Sequence, residues 1–297
     1  MIQSQRRGAQ ILGSAAVAAL LTVSLAGCSG GGGGSGGSAD AADAVKSSGP
    51  DTLAADPLTA VRNAAELTGH AGSAQAATQL TTESANKQAS FTGTGTYDYT
   101  KRIGRLQVTV PPGAATNGPV VEVVEPGIVF LQNSGAKVPA GKWVKLDVRQ
   151  LADGNLISNG ATDPADAAGA LRGVQQAQLV GDDTVDGVAV KHYKGTLDLA
   201  KAADATGGAG AYGLRMAANT FTVKAVPYDV WLDAQGRLRR VTEVFTFAGV
   251  AGSSNAKDQV KVTSTVTLSG FGQPVNVSEP PAADVVQLQD SSASPQN

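Results

Sequence analysis

Cysteine, histidine and aromatic residues are scarce in this sequence. Its 297 residues include one cysteine and two histidines, and 4% of them are aromatic. A single cysteine excludes an internal disulfide, so burial and strand pairing must supply the stability of the folded part. With so few histidines and no spacing typical of metal ligands, we expect neither an enzyme nor a metal or cofactor site.

The chain also lacks an excess of positive charge. The formal net charge is -2 and the isoelectric point is near 5.7. A basic field for nucleic acid and a polybasic patch for anionic lipid are both excluded as explanations of its function. Hydrophobic residues make up 42% of the chain. Because aromatics are few, we expect a core filled by Val, Ala, Leu and Thr.

The two histidines are best interpreted as surface or structural residues. His70 lies in a Gly-flanked loop, and His192 lies beside Tyr193 within an apparent strand. A hydrogen-bonded strand histidine is far commoner than a catalytic one. We therefore assign neither residue a catalytic role.

Two charged groups have alternative interpretations. The acidic group consists of Asp182, Asp183 and Asp186. It lacks the glutamate and the glycine of a calcium-binding loop, so we interpret it as a solvated turn. The other is basic and consists of Arg237, Arg239 and Arg240. Those arginines either meet a phosphate headgroup at the mouth of a cavity or form a solvated face.

The N-terminus has the pattern of a lipoprotein signal peptide over residues 1–27. Arg6 and Arg7 precede an apolar stretch from Ile11 to Leu25 that is short for a membrane span. Leu25-Ala26-Gly27-Cys28 then places a thiol directly after two small residues, which is the bacterial lipobox. We expect cleavage before Cys28, lipidation of its sulfur, and anchoring at the extracytoplasmic face of the cell membrane.

Residues 28–51 are predicted to form a disordered tether because they are rich in Gly and Ser and have little to bury. Roughly 20 flexible residues reach about 25 Å. A single domain is predicted over residues 52–289, followed by a disordered tail over 290–297. The folded part can therefore stand off the membrane and still touch it.

Apolar residues recur at helical spacing in two places, each preceded by an aspartate and a proline, and we predict a helix at each. Asp56-Pro57 begins the first, and Asp163-Pro164 begins the second. The stretch from Ala200 to Ala218 is interpreted as a helical insertion with a Gly-rich centre. Alternating runs between Phe91 and Leu268 predict strands in antiparallel pairing, with Asp186-Gly187 as a hairpin turn.

These elements predict an α+β fold. We expect a curved antiparallel half-barrel sheet of about ten strands, covered on its concave face by two or three helices. Such a sheet has one dry face, which the helices cover, and one wet face. The prediction concerns architecture and assigns no function.

Several segments in the second half of the chain resemble a known family in their order and spacing. They are Leu179-Val180-Gly181, Thr184-Val185-Asp186-Gly187-Val188, His192-Tyr193-Lys194-Gly195-Thr196-Leu197-Asp198, Val230-Trp231-Leu232-Asp233-Ala234-Gln235-Gly236-Arg237-Leu238, Phe271-Gly272-Gln273-Pro274-Val275-Asn276-Val277 and Pro280-Pro281. Together with the lipobox they resemble the actinobacterial LppX/LprAFG lipoprotein family, which has a LolA-like fold. The resemblance covers most of the chain after the tether.

The resemblance implies a lipid carrier in which sheet and helices enclose an apolar cavity for the acyl chains of a lipid or lipoglycan, palmitate being one such chain. Alternation along the strands nominates nine lining residues, and the crossing helix adds Leu171. The nine are Leu80, Phe91, Val121, Val123, Leu131, Leu146, Val230, Leu232 and Val262. Each of them can equally be ordinary core.

Two functions follow from the sequence. In the first, a monomeric, membrane-anchored lipoprotein binds a membrane lipid or lipoglycan and carries or presents it at the cell envelope. In the second, an envelope sensor or interaction lipoprotein of the same fold docks a protein partner on its sheet. The sequence does not separate the two.

The lipobox predicts the effect of one substitution. Cys28→Ala removes the thiol that accepts diacylglycerol, so the variant should accumulate as an unlipidated precursor that retains residues 1–27. The mass of the protein recovered from membranes measures this outcome. A mature mass equal to that of the parent would contradict the assignment.

Overall fold

A computed structural model describes residues 51–84, 87–113, 116, 118–134, 138–157, 162–248 and 259–286. These residues form one open, curved sheet of twelve strands with four α-helices. Residues 1–50 and 287–297 lie outside the described ranges, and with them the predicted signal peptide, Cys28, most of the tether and the tail. No helix in the described ranges is both long and apolar enough to cross a bilayer.

The first half of the sheet is a meander of six strands. They are β1 (Ser73–Ser84), β2 (Lys87–Asp98), β3 (Ile103–Thr109), β4 (Val120–Glu125), β5 (Ile128–Gln132) and β6 (Trp143–Asp147). Each strand pairs antiparallel with the next.

The second half is a meander of five strands, which also pair antiparallel in chain order. They are β7 (Val174–Val185), β8 (Val188–Leu197), β9 (Val226–Leu232), β10 (Leu238–Ala248) and β11 (Gln259–Ser269). A two-residue strand, β12 (Val285–Val286), pairs parallel with β6 at the sheet edge.

The two meanders meet where β1 pairs antiparallel with β11, in a register that runs from Gln75 opposite Ser269 to Glu83 opposite Lys261. The sheet order is therefore β12-β6-β5-β4-β3-β2-β1-β11-β10-β9-β8-β7. Strands from the beginning and the end of the domain form its centre.

The helices begin at the residues that the sequence predicts. Asp56 accepts a hydrogen bond from the Thr59 amide at 2.8 Å and caps α1 (Pro57–Gly69). Asp163 does the same for the Ala165 amide at 2.8 Å and caps α2 (Pro164–Ala170). In both helices a proline holds the first position, where its missing N–H has no cost.

The segment predicted as a helical insertion forms two helices, α3 (Leu199–Thr206) and α4 (Ala211–Thr220). Gly207 ends α3 with a φ of 65°, a left-handed conformation that favours glycine. Asp198 caps α3 by accepting from the amides of Ala200 and Lys201.

All four helices pack on one face of the sheet, called the inner face below. Residues that are directly opposite each other in two paired strands project from the same face of the sheet. Ala76 of β1 and Leu268 of β11 are such a pair, and both lie on the inner face. The main core lies between this face and the helices and contains Val61 of α1, Leu171 after α2 and Leu214 of α4. Alanine is the commonest residue that the helices contribute to this core, and its small side chain allows a close approach to the sheet.

The outer face is covered in its first half by the chain that follows β11. Val277 packs there with Val121 and Val123 of β4 and with Trp143 of β6. Val121 and Val123, nominated as cavity residues, therefore lie on the face opposite the helices. Because β4 is buried on both sides, alternation alone does not identify its inner face.

The predicted fold class is confirmed, with two differences in detail. The sheet has twelve strands instead of about ten, and four α-helices cover it instead of two or three. The sheet is open and does not close into a barrel.

Because α4 lies close to the connection after β6, a side chain added to that connection should destabilise the fold. Gly154 has a φ of 61°, and a β-carbon there would lie 2.0 Å from the Gly213 carbonyl oxygen. Gly154→Ala should therefore lose about 1–3 kcal/mol to overpacking beyond about 1–2 kcal/mol of left-handed backbone strain. Urea unfolding measures the difference.

Gly208→Ala is the matched control because Gly208 also has a positive φ, 56°, and no heavy atom lies within 4 Å of the point that a β-carbon would occupy there. Gly208→Ala should lose only the part of the unfolding free energy that the backbone strain accounts for. Equal losses of unfolding free energy in the two variants would contradict the close packing of α4.

Candidate functional site

Two mostly apolar cavities flank Phe221, the residue that follows α4. The first has a volume of about 270 Å³ and is lined by Ile157, Phe247 and Val262, among others. The second has a volume of about 300 Å³ and is lined by Leu199, Val223 and other residues. Phe221 lines both. The two cavities are therefore neighbours that share one aromatic side chain in their linings.

Phe221 is held by other aromatic rings of the inner face. Its ring centroid lies 4.9 Å from that of Phe245 and 6.2 Å from that of Phe247. Phe245 and Phe247 are two residues apart in β10, so they project from the same face. Three of the six phenylalanines in the chain thus meet at this end of the inner face. A ring partition of this kind can move without breaking a hydrogen bond.

The other nominated cavity residues mostly fill the core. Leu171, Val230 and Leu232 belong to the main core, and Leu131 and Leu146 pack with Val124 under the first half of the sheet. Leu80 is fully buried, and Phe91, opposite it in β2, is half-buried. Val262 is the nominated residue that lines one of the two cavities at Phe221.

Two glutamates are buried on the inner face. Glu122 of β4 accepts a hydrogen bond from the Asn155 side chain at 2.9 Å, while its second oxygen has no partner among the described residues. Glu243 of β10 has no hydrogen-bond partner there for either oxygen. Burial raises the pKa of each glutamate to about 8. Both are therefore largely protonated at neutral pH.

The histidines have structural partners, as the sequence suggested. His70 lies 3.0 Å from Asp51 through Nδ1, and His192 lies 2.6 Å from Asp229 through Nε2. The His192 ring also stacks on Trp231, with centroids 4.4 Å apart. Both pairs occupy ends or faces of the fold away from the cavities at Phe221.

The acidic turn and the three arginines are engaged in local contacts. Asp182 pairs with Lys191 at 2.7 Å, and Asp183 accepts from the Trp231 indole at 2.8 Å. The arginines stack on aromatic rings: Arg237 and Arg239 on Phe271, and Arg240 on Trp231. None of the three lines the described cavities. The geometry therefore favours a structural role for these arginines over a headgroup contact at those cavities.

Sequence reasoning missed the cluster formed by Phe221, Phe245 and Phe247. It also missed a further cavity at the other end of the helices. The Phe245-x-Phe247 alternation in β10 was a signal for the first. Tyr97-x-Tyr99 beside Arg102 was a signal for the second. Within the described ranges, no group of three or more His, Cys, Asp or Glu side chains is placed to hold a metal ion.

The described residues form the class of fold that the sequence predicts, an open curved antiparallel sheet covered on one face by helices. Comparison with solved structures then gives particular matches.

The matched solved structures include the lipoprotein LppX and the protein LprF, both from mycobacteria, at TM-scores below 0.5. LppX from Mycobacterium tuberculosis is 16% identical to this chain, with a TM-score of 0.44 over 74% of this chain and 97% of LppX. LprF from Mycobacterium bovis is 14% identical, with a TM-score of 0.40 over 77% of this chain and 99% of LprF. A LolA superfamily protein from Nitrosomonas europaea is 10% identical, with a TM-score of 0.33 over 75% of this chain and 96% of its own.

Structures of the family that the sequence resembles are thus among the matches, at identities that describe fold alone. No protein-family model and no curated protein matches the sequence.

The buried glutamates predict a pH dependence of stability. The pKa of Glu243 is raised by burial from 4.5 to about 8, so the folded state holds a proton that the unfolded state releases. The stabilisation is complete below the unfolded pKa and is lost as pH rises towards the folded pKa. Each such carboxyl group lowers the free energy of unfolding by up to about 1.4 kcal/mol per pH unit between the two pKa values. Glu122 contributes a similar slope.

Glu243→Gln should therefore make the fall in unfolding free energy between pH 5.5 and 7.5 shallower, by up to about 1.4 kcal/mol per pH unit. Urea unfolding at several pH values measures the slope. Glu83→Gln is the control, since Glu83 lies at the surface and pairs with Lys261. A parent whose stability does not fall over this range would contradict the assignment.

Proposed function

We propose that this protein is a membrane-anchored lipoprotein that binds acyl chains of a lipid or lipoglycan and carries or presents them at the cell envelope. The observation that carries the proposal is the pair of apolar cavities that meet at Phe221, between the inner face and the helices. The proposal is for binding without catalysis, by a monomer, with no nucleic-acid partner.

The chemistry of the cavities suits an acyl chain. Ile157, Phe247 and Val262 offer apolar surface, and each methylene that leaves water contributes about 0.8 kcal/mol. Both cavities lie at or near the lower end of the volume range of small-molecule sites. Movement of Phe221 would join them into one elongated space. A flexible chain fits such a space better than a rigid ring system does.

The N-terminal sequence supports the location. The lipobox at Cys28 predicts an anchor in the membrane that supplies the ligand, and the Gly/Ser-rich tether allows the domain to approach it. The resemblance to LppX/LprAFG lipoproteins supports the same function.

The alternative, a sheet that docks a protein partner, has less support. The described outer face carries polar residues such as Thr94 and Thr267 over its centre, and Val277 already covers its apolar part. Leu179 and Val180 are exposed on the edge strand β7, at 43% and 50%. Two side chains form a small patch, so we rank acyl-chain binding first.

Fluorescence titration with cis-parinaric acid tests the proposal on the full chain produced without lipid on Cys28. The parent should bind with saturation. Ala152→Trp places a large ring at an exposed position that lines the first cavity, so it should weaken binding at least tenfold. Competition by palmitate should displace the probe.

Ala189→Trp is the matched control, because Ala189 is an exposed residue of β8 that lines neither cavity at Phe221. It should bind as the parent does. A parent without saturable binding would refute acyl-chain binding, and equal affinity in Ala152→Trp and the parent would refute its location.

A further inference from the structure

A cavity lined by both polar and apolar residues lies at the other end of the helix layer, away from Phe221. Its volume is about 440 Å³, within the range of small-molecule sites. The hairpin between β2 and β3 contributes Tyr97, Tyr99 and Arg102, and α2 contributes Asp163 and Asp166. The opposite wall is formed by the end of α1 and the start of α4, so four separate parts of the fold converge on this space.

Several polar groups of this cavity have no hydrogen-bond partner among the described residues. The Tyr99 hydroxyl is buried and unpartnered. The guanidinium groups of Arg102 and Arg172 and the carboxylate of Asp166 line the cavity, and no side-chain hydrogen bond joins them to a described residue. The buried Tyr99 hydroxyl is costly to leave unpaired, so it requires either water or a ligand. Arg102 is exposed, and Arg172 and Asp166 are half-buried, so their polar groups are open to water or to a ligand in the cavity. The cavity offers donors and acceptors together.

The charges of the lining nearly cancel. Arg102 and Arg172 face Asp163 and Asp166, and Glu66 lies at the rim. Burial raises the pKa of both aspartates, and the charge of Asp163 raises that of Asp166 further. Two arginines therefore face two aspartates across the cavity, with Glu66 as one further acid at the rim.

His70 also lies at the rim of this cavity. Its ring lies 3.0 Å from Asp51 and 3.9 Å from Glu66, so acidic groups accompany it. A strongly anionic ligand would meet Glu66 and the aspartates, and a cationic ligand would meet two arginines. The lining therefore disfavours either sign of charge.

Two tyrosine rings provide an apolar surface within the polar lining. The centroids of Tyr97 and Tyr99 lie 4.7 Å apart, and the ring planes are inclined by 48°. Tyr97 is 3% exposed, so its ring is fixed by its surroundings. Aromatic surface next to mixed donors and acceptors matches a molecule with C–H groups on one side and hydroxyl groups around its edge.

We infer that this cavity is a second binding site, for a neutral, hydroxyl-rich ring such as a monosaccharide. Tyr99 and the two arginines donate to its hydroxyl oxygens, and Asp166 and Glu66 accept from its hydroxyl groups. The site is independent of acyl-chain binding, since it lies at the other end of the helices and shares no lining residue with the two cavities at Phe221.

Isothermal titration calorimetry on the full chain tests this inference with three probes that share one ring. Glucose should bind with saturation in the millimolar range. Glucose 1-phosphate and glucosamine, which add a negative and a positive charge, should each bind at least threefold more weakly. No saturation by glucose would show that the cavity holds only water and would overturn the inference. Tighter binding of either charged probe would overturn its neutral character.

Two variants locate the site. Tyr99→Phe removes one oxygen atom and should weaken glucose binding at least threefold, and Tyr212→Phe is its control because Tyr212 is 38% exposed and does not line this cavity. Ala165→Trp fills the cavity and should abolish binding. Unchanged affinity in Tyr99→Phe and in Ala165→Trp would overturn the location. Because the probes have no acyl chain, failure here leaves the result with cis-parinaric acid unaffected.

Discussion

The pairing of β1 with β11 is the contact on which the rest of the fold depends. Each half of the sheet is a meander of strands that are neighbours along the chain. Once β1 and β11 pair, α1 from the start of the domain lies against β7, β9 and β10 from its second half. The Arg62 guanidinium then donates to the Val174 carbonyl oxygen at 2.9 and 2.7 Å. A single layer of helices can thus cover both meanders.

Local features of this fold could be predicted from the sequence, and long-range ones could not. Asp56-Pro57, Asp163-Pro164 and Asp186-Gly187 identify their helix starts and hairpin because the determining contacts lie within a few residues. The pairing of β1 with β11 depends on residues nearly 200 positions apart, and no local pattern encodes it.

The candidate sites show the same division. Alternation correctly placed Val262 on the inner face, yet it failed for Val121 and Val123 because the chain around Val277 buries the outer face of β4 as well. Cavities were beyond prediction, since a void depends on how helices of small residues pack against the sheet. The contact between Gly154 and Gly213 is one such packing detail.

The short strand β12 has a consequence for the behaviour of the protein in solution. A sheet edge presents unpaired amide and carbonyl groups to which another chain can add, which favours aggregation. Val285 and Val286 occupy the β6 edge, and Lys142 pairs with Asp284 at 2.7 Å beside them. The opposite edge strand, β7, has two register irregularities, one of them next to Gly181. One edge is thus capped by the end of the domain and the other is distorted, so that both are poor templates for a further strand.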